Sequence, residues 1–216
     1  LEVDDNHPVF AVRDGVLFDR DITVLVYYPS AKKGDYEIPE TVKVINSGVF
    51  YGNTNIGTLT IGKNVAKIGD KAFMESRISK FVFVAPDAGN VVGLEIGDEA
   101  FRSVQSISGK FELPSRTRKL GNRVFYQCYY VNEIVIPEGV EEIGDEAFAY
   151  CFLTSGGLEK VTLPSTLKKF GKYETDKDTG AEKLASFNPF EGSKSLKYVT
   201  ITDGDHFASR DGAIYM

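Results

Sequence analysis

The chain has 216 residues, a formal charge of −6 at pH 7 and two cysteines, and 42% of its residues are hydrophobic. Acidic and basic residues are interspersed, so the sequence offers no broad positive field and nucleic acid is not expected as a partner. No apolar run approaches the roughly 20 residues that a membrane-spanning helix needs, and the first residues lack the pattern of a signal peptide. We therefore expect no membrane insertion by this segment.

The two ends of the chain carry similar segments. Phe10 to Phe18 contains Asp14-Gly15 between apolar flanks, which is a strong signal for a β-hairpin. Phe207 to Tyr215 repeats this pattern around Asp211-Gly212. We predict that residues 1–35 form an N-terminal Asp-Gly hairpin or cap element, and that residues 203–216 begin a second, truncated element of the same kind.

Between these ends, a short strand pattern recurs as two apolar residues separated by one position, often followed by Pro. Such alternation predicts a strand with one buried face, and Pro ends the strand because it lacks an N–H group. Seven such strands are expected to pair in parallel into one sheet. The apolar pairs are Tyr36/Ile38, Leu59/Ile61, Phe81/Phe83, Phe111/Leu113, Ile134/Ile136, Val161/Leu163 and Val199/Ile201.

A second motif, typified by Ile143-Gly144-Asp145-Glu146-Ala147-Phe148, follows the strand pattern five times. Its final Phe recurs at intervals of 23, 28, 24 and 23 residues. A fixed period this short predicts a repeat solenoid of about 23 residues per coil over residues 36–202, because one coil cannot bury its apolar side alone. The five rings are expected to form one buried ladder: Phe50, Phe73, Phe101, Phe125 and Phe148.

The third position of this motif is always a good N-cap residue, which predicts that a helical turn begins there. The alternative is a ladder of carboxylates that binds Ca²⁺. Ser and Asn preserve capping but dilute the charge, so capping is favoured. The residues are Ser47, Asp70, Asp98, Asn122 and Asp145.

Outward positions of the strands are candidates for partner binding, because solenoids often bind through such a face. The alternative is that this mixed-charge face is only solvated. The candidates are Glu37, Thr60, Lys80, Lys110, Glu112, Glu133, Lys160 and Thr162.

Aromatic residues outside the periodic core form a second group of candidates: Tyr126, Tyr129 and Tyr130, with Tyr150 and Phe152 nearby. Tyr is enriched in interfaces, but it also fills seams between packed segments, and both interpretations stay open. An insertion near 172–185 predicts an exposed hairpin around Asp178-Thr179-Gly180, and its Tyr173 is a further candidate.

The sequence contains few residues in patterns typical of catalytic or metal-binding sites. Cys128 and Cys151 occupy equivalent places in adjacent coils, which favours two buried free thiols, although a disulfide stays open. His7 and His206 lie in the end segments, and no nucleophile or zinc motif occurs. We expect neither an enzyme nor a bound cofactor.

The segment Ile136 to Cys151 resembles, nearly position for position, the unit of the BspA-like leucine-rich repeats, and Asp14 to Phe18 resembles an element that often interrupts their arrays. The resemblance implies a leucine-rich-repeat-like, right-handed β/α superhelix. It also implies an extracellular or cell-surface protein of host-associated bacteria, active in adhesion, whose partner is a host or bacterial surface protein or a glycan. A structural spacer and a carbohydrate-binding module that uses the Tyr group are the alternatives, and a monomer is expected.

Overall fold

The computed structural model describes residues 1–4, 6–153, 156–177, 179–202, 204, 206–210 and 213–215. Over these residues the chain is a parallel β-solenoid of about six coils, with repeats about 23 residues apart. The predicted repeat solenoid is therefore confirmed.

Short strands carry the fold. In chain order they are β1 (Phe10–Arg13), β2 (Val16–Asp19), β3 (Val24–Tyr27), β4 (Gly34–Glu37), β5 (Val44–Ile45), β6 (Ile56–Ile61), β7 (Lys67–Ile68), β8 (Lys80–Phe83), β9 (Leu94–Ile96), β10 (Gly109–Glu112) and β11 (Thr117–Leu120). They continue with β12 (Val131–Val135), β13 (Glu142–Ile143), β14 (Phe152–Leu153), β15 (Gly156–Gly157), β16 (Lys160–Leu163), β17 (Lys169–Phe170), β18 (Lys172–Thr175), β19 (Glu182–Ser186), β20 (Tyr198–Ile201), β21 (Ala208–Arg210) and β22 (Ala213–Tyr215).

One side of the solenoid is a nine-stranded sheet in the order β1-β2-β3-β5-β7-β9-β11-β13-β17. The first hairpin, β1–β2, is antiparallel, and Asp14 and Gly15 both have positive φ, as the tight turn requires. From β3 onward the coils pair in parallel. β21 and β22 also pair antiparallel, while Asp211 and Gly212 lie outside the described residues.

The predicted repeat strands form another side, in the predicted parallel register, as in the pairing of Leu59 with Phe81. The expectation of one seven-stranded sheet is wrong. The strands divide into β4-β6-β8 and β10-β12-β16-β20, because the enlarged coil at 84–93 separates β8 from β10. The core continues across the break, since Phe81 and Phe111 flank the Phe101 ring at 5.4 and 5.7 Å between centroids.

The ring ladder is present and fully buried. Phe50, Phe73, Phe101, Phe125 and Phe148 follow one another with centroid separations of 5.6, 5.1, 5.5 and 6.0 Å. The ladder is longer than predicted. Tyr28 precedes it at 5.1 Å, and Phe190 continues it at 5.6 Å after the insertion.

The described residues contain no helix, so the predicted β/α superhelix is wrong, and so are the predicted helical turns. The motif residue before Ala-Phe has a left-handed backbone instead, with φ of 57° at Lys71, 56° at Glu99, 53° at Arg123 and 52° at Glu146. Alternate N–H groups in this segment donate to the next coil, as Phe101 N does to Val124 O at 2.9 Å. A backbone that donates between coils cannot also make the i to i−4 bonds of a helix.

Arg116 is a core residue that the sequence pattern did not predict. It directly precedes Thr117, which takes the position that Val65 and Val140 occupy in other coils, and Arg116 is 0% exposed. Its guanidinium donates to the carbonyl oxygens of Val65, Gly62 and Val92, at 3.0 Å for Gly62 and 3.4 Å for Val92. Burial lowers the pKa of Arg116, but the group stays charged. The side chain therefore ties three coils together, and the middle one, which contains Val92, is the enlarged coil.

Replacing Arg116 with Ala is expected to lower the free energy of unfolding by about 3–5 kcal/mol, because buried carbonyl groups lose their donor and a cavity opens. Urea unfolding measures the change. Arg118→Ala, at an exposed position of the same turn, is the matched control and should cost about 1 kcal/mol or less. Equal losses in the two variants would contradict this role for Arg116.

Candidate functional site

A long open groove runs across the coils on the side formed by the Gly-Asp-x-Ala-Phe segments. Its volume is about 1090 Å³. We call it the recognition groove. Its lining comprises Ser47, Gly48, Tyr51, Asp70, Lys71, Asp98, Glu99, Asn122, Arg123, Asp145, Glu146 and Lys172.

The floor of the groove is a ladder of carboxylate and amide side chains. Asp70 Oδ1 accepts from Asp98 N at 2.9 Å, Asp98 Oδ1 accepts from Asn122 N at 2.8 Å, and Asn122 Oδ1 accepts from Asp145 N at 2.9 Å. Asp145 completes the series by accepting from Asn188 N at 3.0 Å and from the Ser186 hydroxyl. These side chains join successive coils, so the predicted role as helix N-caps is wrong.

The calcium alternative requires several oxygen ligands around one ion. Within the part of the chain that the structure describes, no group of three or more His, Cys, Asp or Glu residues is arranged to hold a metal ion.

Asp98→Ala is expected to cost about 1–3 kcal/mol of unfolding free energy, because the N–H of Asn122 loses a charged acceptor. Asp98→Asn should cost less than half as much, since Asn122 makes the same bond to Asp145 with an amide oxygen. Thermal and urea unfolding of both variants test the ladder. Equal losses for Ala and Asn would contradict it.

One wall of the groove carries alternating charges. Lys71 lies 3.5 Å from Glu99, and Arg123 Nε donates to Glu146 Oε2 at 2.6 Å. Arg102 donates to Glu99 Oε1 at 2.9 Å. The bond to Glu146 raises the pKa of Arg123 further. These ion pairs are partly exposed, so each is worth at most about 1 kcal/mol and can be exchanged for contacts with a partner.

An aromatic and arginine cluster adjoins this wall. Tyr126 and Tyr150 lie 5.2 Å apart between ring centroids, and the guanidinium carbons of Arg102 and Arg123 lie 5.1 and 5.7 Å from the centre of the Tyr126 ring. Tyr150 is 38% exposed and has a φ of 56°, which is unusual for a bulky residue. Its hydroxyl donates to Glu191 Oε1 at 2.8 Å, and this bond raises the pKa of Tyr150.

The predicted strand candidates lie on two sheets rather than one. Glu37, Thr60 and Lys80 lie on the three-stranded sheet, whereas the other strand candidates lie on the four-stranded sheet. Several of these are paired with one another. Lys160 lies 3.1 Å from Glu133, Lys110 contacts Glu112, and Thr162 accepts from Thr200 at 3.2 Å. Their role in partner binding stays a prediction.

The predicted tyrosines divide among three places. Tyr126 borders the recognition groove, and its described ring contact is with Tyr150. Tyr129 is half-buried and Tyr130 is exposed, both just before β12. Tyr173 lies on β18, which pairs with β19 as the predicted hairpin, although Asp178 at its tip lies outside the described residues.

The groove wall was missed by sequence reasoning. Lys71, Glu99 and Glu146 occupy the x position of Gly-Asp-x-Ala-Phe, and Arg123 takes the same place in Gly-Asn-x-Val-Phe, so this position carries charges of either sign between neighbours of similar type. That contrast was the available signal, because a position that packing leaves free points toward solvent.

The two cysteines are buried free thiols, as predicted. The Cys128 thiol donates to Phe101 O at 3.0 Å and the Cys151 thiol donates to Phe125 O at 2.9 Å. Ser193 repeats the contact in the next coil by donating to Phe148 O at 2.6 Å. Burial raises the pKa of Cys128 well above its usual value and that of Cys151 to about 12.

Both thiols have a higher pKa in the folded chain than in the unfolded chain, where it is about 8.5. The unfolded chain therefore loses these protons first as the pH rises, and stability should fall above about pH 9 by up to about 1.4 kcal/mol per pH unit for each thiol. Urea unfolding of the wild type and of Cys128→Ser/Cys151→Ser measures this slope. The double variant should show a shallower slope, and an identical slope would contradict the assignment.

A stack of short coils, each contacting its neighbours, is the architecture of a solenoid repeat protein. Its repeats match the model described as BspA type leucine-rich repeat region, with six copies over residues 26–151 and 94–204. The chain belongs to the BspA-type leucine-rich repeat family. This family and fold are generally non-enzymatic. No curated protein matches the chain in sequence.

Solved structures share the fold at low identity. The pneumococcal vaccine antigen PcpA aligns with a TM-score of 0.60 and 21% identity over 94% of this chain and 48% of its own. A leucine-rich cell surface protein from Faecalibacterium prausnitzii aligns with a TM-score of 0.58 and 20% identity, over 97% of this chain and 50% of its own. The T. pallidum leucine-rich repeat protein TpLRR aligns with a TM-score of 0.57 and 20% identity, over 87% of this chain and 86% of its own. The chain thus spans about half the length of the first two proteins. In the described residues, no helix is long and apolar enough to cross a membrane.

Proposed function

We propose that this chain is a non-catalytic protein-recognition module that acts in adhesion at the cell surface or outside the cell. The observation that carries the proposal is the recognition groove, with its alternating wall and its adjoining Tyr126–Tyr150 cluster. Residues 36–202 would form the recognition body and residues 1–35 its cap. Family membership supports the proposal, and two of the similar structures are described as a vaccine antigen and a cell surface protein.

The groove suits a protein partner because its length spans several coils. A groove of about 1090 Å³ is at the upper end of small-ligand pockets, and it is open along its length. Its charged side chains sit on backbone positions that hydrogen bonds between coils hold in place. A partner therefore meets a rigid surface and loses little free energy in ordering it.

The aromatic cluster is where we expect binding energy to concentrate, because Tyr and Arg dominate interface hot spots. Tyr150 is held in place by its bond to Glu191 and by close packing on Gly192, where an added Cβ would lie 2.5 Å from Tyr150 Cδ1. Tyr51 adds an exposed ring within the groove, and its hydroxyl donates to Glu75 at 3.1 Å.

The test is binding of the purified chain to immobilised fibronectin, fibrinogen and collagen, and to intact host epithelial and bacterial cells, by surface plasmon resonance and cell adhesion. For a target that binds, Tyr150→Ala combined with Arg123→Ala should weaken binding at least tenfold, which is about 1.4 kcal/mol. Tyr198→Ala is the matched control, since Tyr198 is 61% exposed on the four-stranded sheet.

Equal binding by the groove variant and the wild type, with the fold confirmed by circular dichroism, would place recognition elsewhere and contradict the groove. Absence of binding to every target would favour the structural-spacer alternative.

Deleting Lys172 to Lys183 is expected to leave the coils folded, because lengthening or shortening a surface loop changes closure entropy slowly.

A further inference from the structure

A second, smaller cleft lies between the inserted hairpin β18–β19 and the stack. Its volume is about 360 Å³, and its polar lining includes Asp98, Lys119, Asn122, Glu142, Lys169 and Glu182, with one aromatic side chain, Tyr173. We call it the hairpin cleft. It exists because of the insertion, since one of its walls comes from the hairpin and the other from the repeat coils.

The hairpin is held over the stack by a defined set of contacts. Lys169 pairs with Glu182 of the hairpin and lies 3.9 Å from Glu142 of the neighbouring coil. Its ammonium nitrogen is 5.8 Å from the centre of the Tyr173 ring. Asp145 accepts hydrogen bonds from Ser186 and Asn188 at the base of the hairpin. The cleft is thus formed before any ligand arrives.

The chemistry of the lining narrows the ligand class. Lys119 lies 2.6 Å from Glu142, but an ammonium has three donors and a carboxylate about four acceptor sites, so both groups keep free hydrogen-bonding capacity. Donors and acceptors are mixed, and the three acids and two lysines leave a net charge of −1. Such a lining disfavours both an apolar ligand and an anionic one.

A half-buried tyrosine among mixed donors and acceptors suits a sugar, whose C–H face packs on an aromatic ring while its hydroxyl groups donate to carboxylates and accept from ammonium groups. The volume lies near the lower end of small-ligand pockets, which run from about 300 to 1,000 Å³. We propose that the hairpin cleft binds the terminal unit of a neutral saccharide. The hairpin cleft adjoins the recognition groove and shares Asp98 and Asn122 with it, but the saccharide proposal does not depend on the protein-recognition proposal.

Saturation-transfer NMR with lactose, cellobiose and N,N′-diacetylchitobiose as probes tests the proposal on the whole chain. At least one probe should bind with a dissociation constant of about 1 mM or tighter. For that sugar, Tyr173→Ala should weaken binding at least tenfold, Tyr173→Phe should stay within about threefold, and Glu142→Gln should weaken binding at least threefold. Tyr198→Ala should bind as the wild type does, as should the groove variant Tyr150→Ala/Arg123→Ala.

Three results would overturn the site: no binding of any probe at about 10 mM, undiminished binding by Tyr173→Ala, or tighter binding of 6′-sialyllactose than of lactose. Should Tyr173→Ala fail to fold, the Tyr173→Phe and Glu142→Gln variants still decide the outcome. Loss of sugar binding in the Tyr173 variant alone, with adhesion unchanged, would separate this site from the recognition groove.

Discussion

The structure depends on the close approach of successive coils at the Gly-Asp step. An added Cβ at Gly69, Gly121 or Gly144 would lie 2.5–2.6 Å from a backbone nitrogen of the preceding coil, a distance that no real side chain tolerates. The same approach lets Asp98 Oδ1 accept a hydrogen bond from Asn122 N in the next coil, and Asn122 Oδ1 accept one from Asp145 N. The glycine and the short acceptor side chain that follows it are therefore both required by the same close approach of neighbouring coils.

This requirement decides which positions remain free. The residue after the Asp takes a left-handed backbone so that its N–H can donate to the next coil, and its side chain then points away from the core. The side chains of Lys71, Glu99, Arg123 and Glu146 therefore differ in charge from coil to coil without changing the buried core. The wall of the groove thus consists of side chains of differing charge on a backbone that hydrogen bonds between coils hold in place.

The sequence predicted correctly those elements whose residues can occupy only one position relative to the core. The Phe ladder and the alternating strands followed directly from periodicity, because a ring at each coil has only the interior to occupy. The predicted helical turn failed because an Asp before Ala-Phe satisfies a helix N-terminus and a neighbouring coil equally well. Arg116 could not be predicted, since it fills a space that exists only after the coil at 84–93 is enlarged. Predicting the hairpin cleft likewise requires the position of β18–β19 relative to Lys169, which the sequence does not give.

Charge alternation on the nine-stranded sheet shows how near-identical coils are kept in order. Lys67 pairs in register with Glu95, Glu95 with Lys119, Lys119 with Glu142, and Glu142 with Lys169. Correct stacking therefore places opposite charges side by side at each of the four steps from β7 to β17. A coil that skipped its neighbour and stacked on the next one would bring Lys67 against Lys119, or Glu95 against Glu142, and like charges directly opposite are destabilising. The apolar core cannot make this distinction, because a Phe from any coil fits beside a Phe from any other. The exposed charges thus contribute little to the stability of the correct stack and more to excluding the incorrect ones.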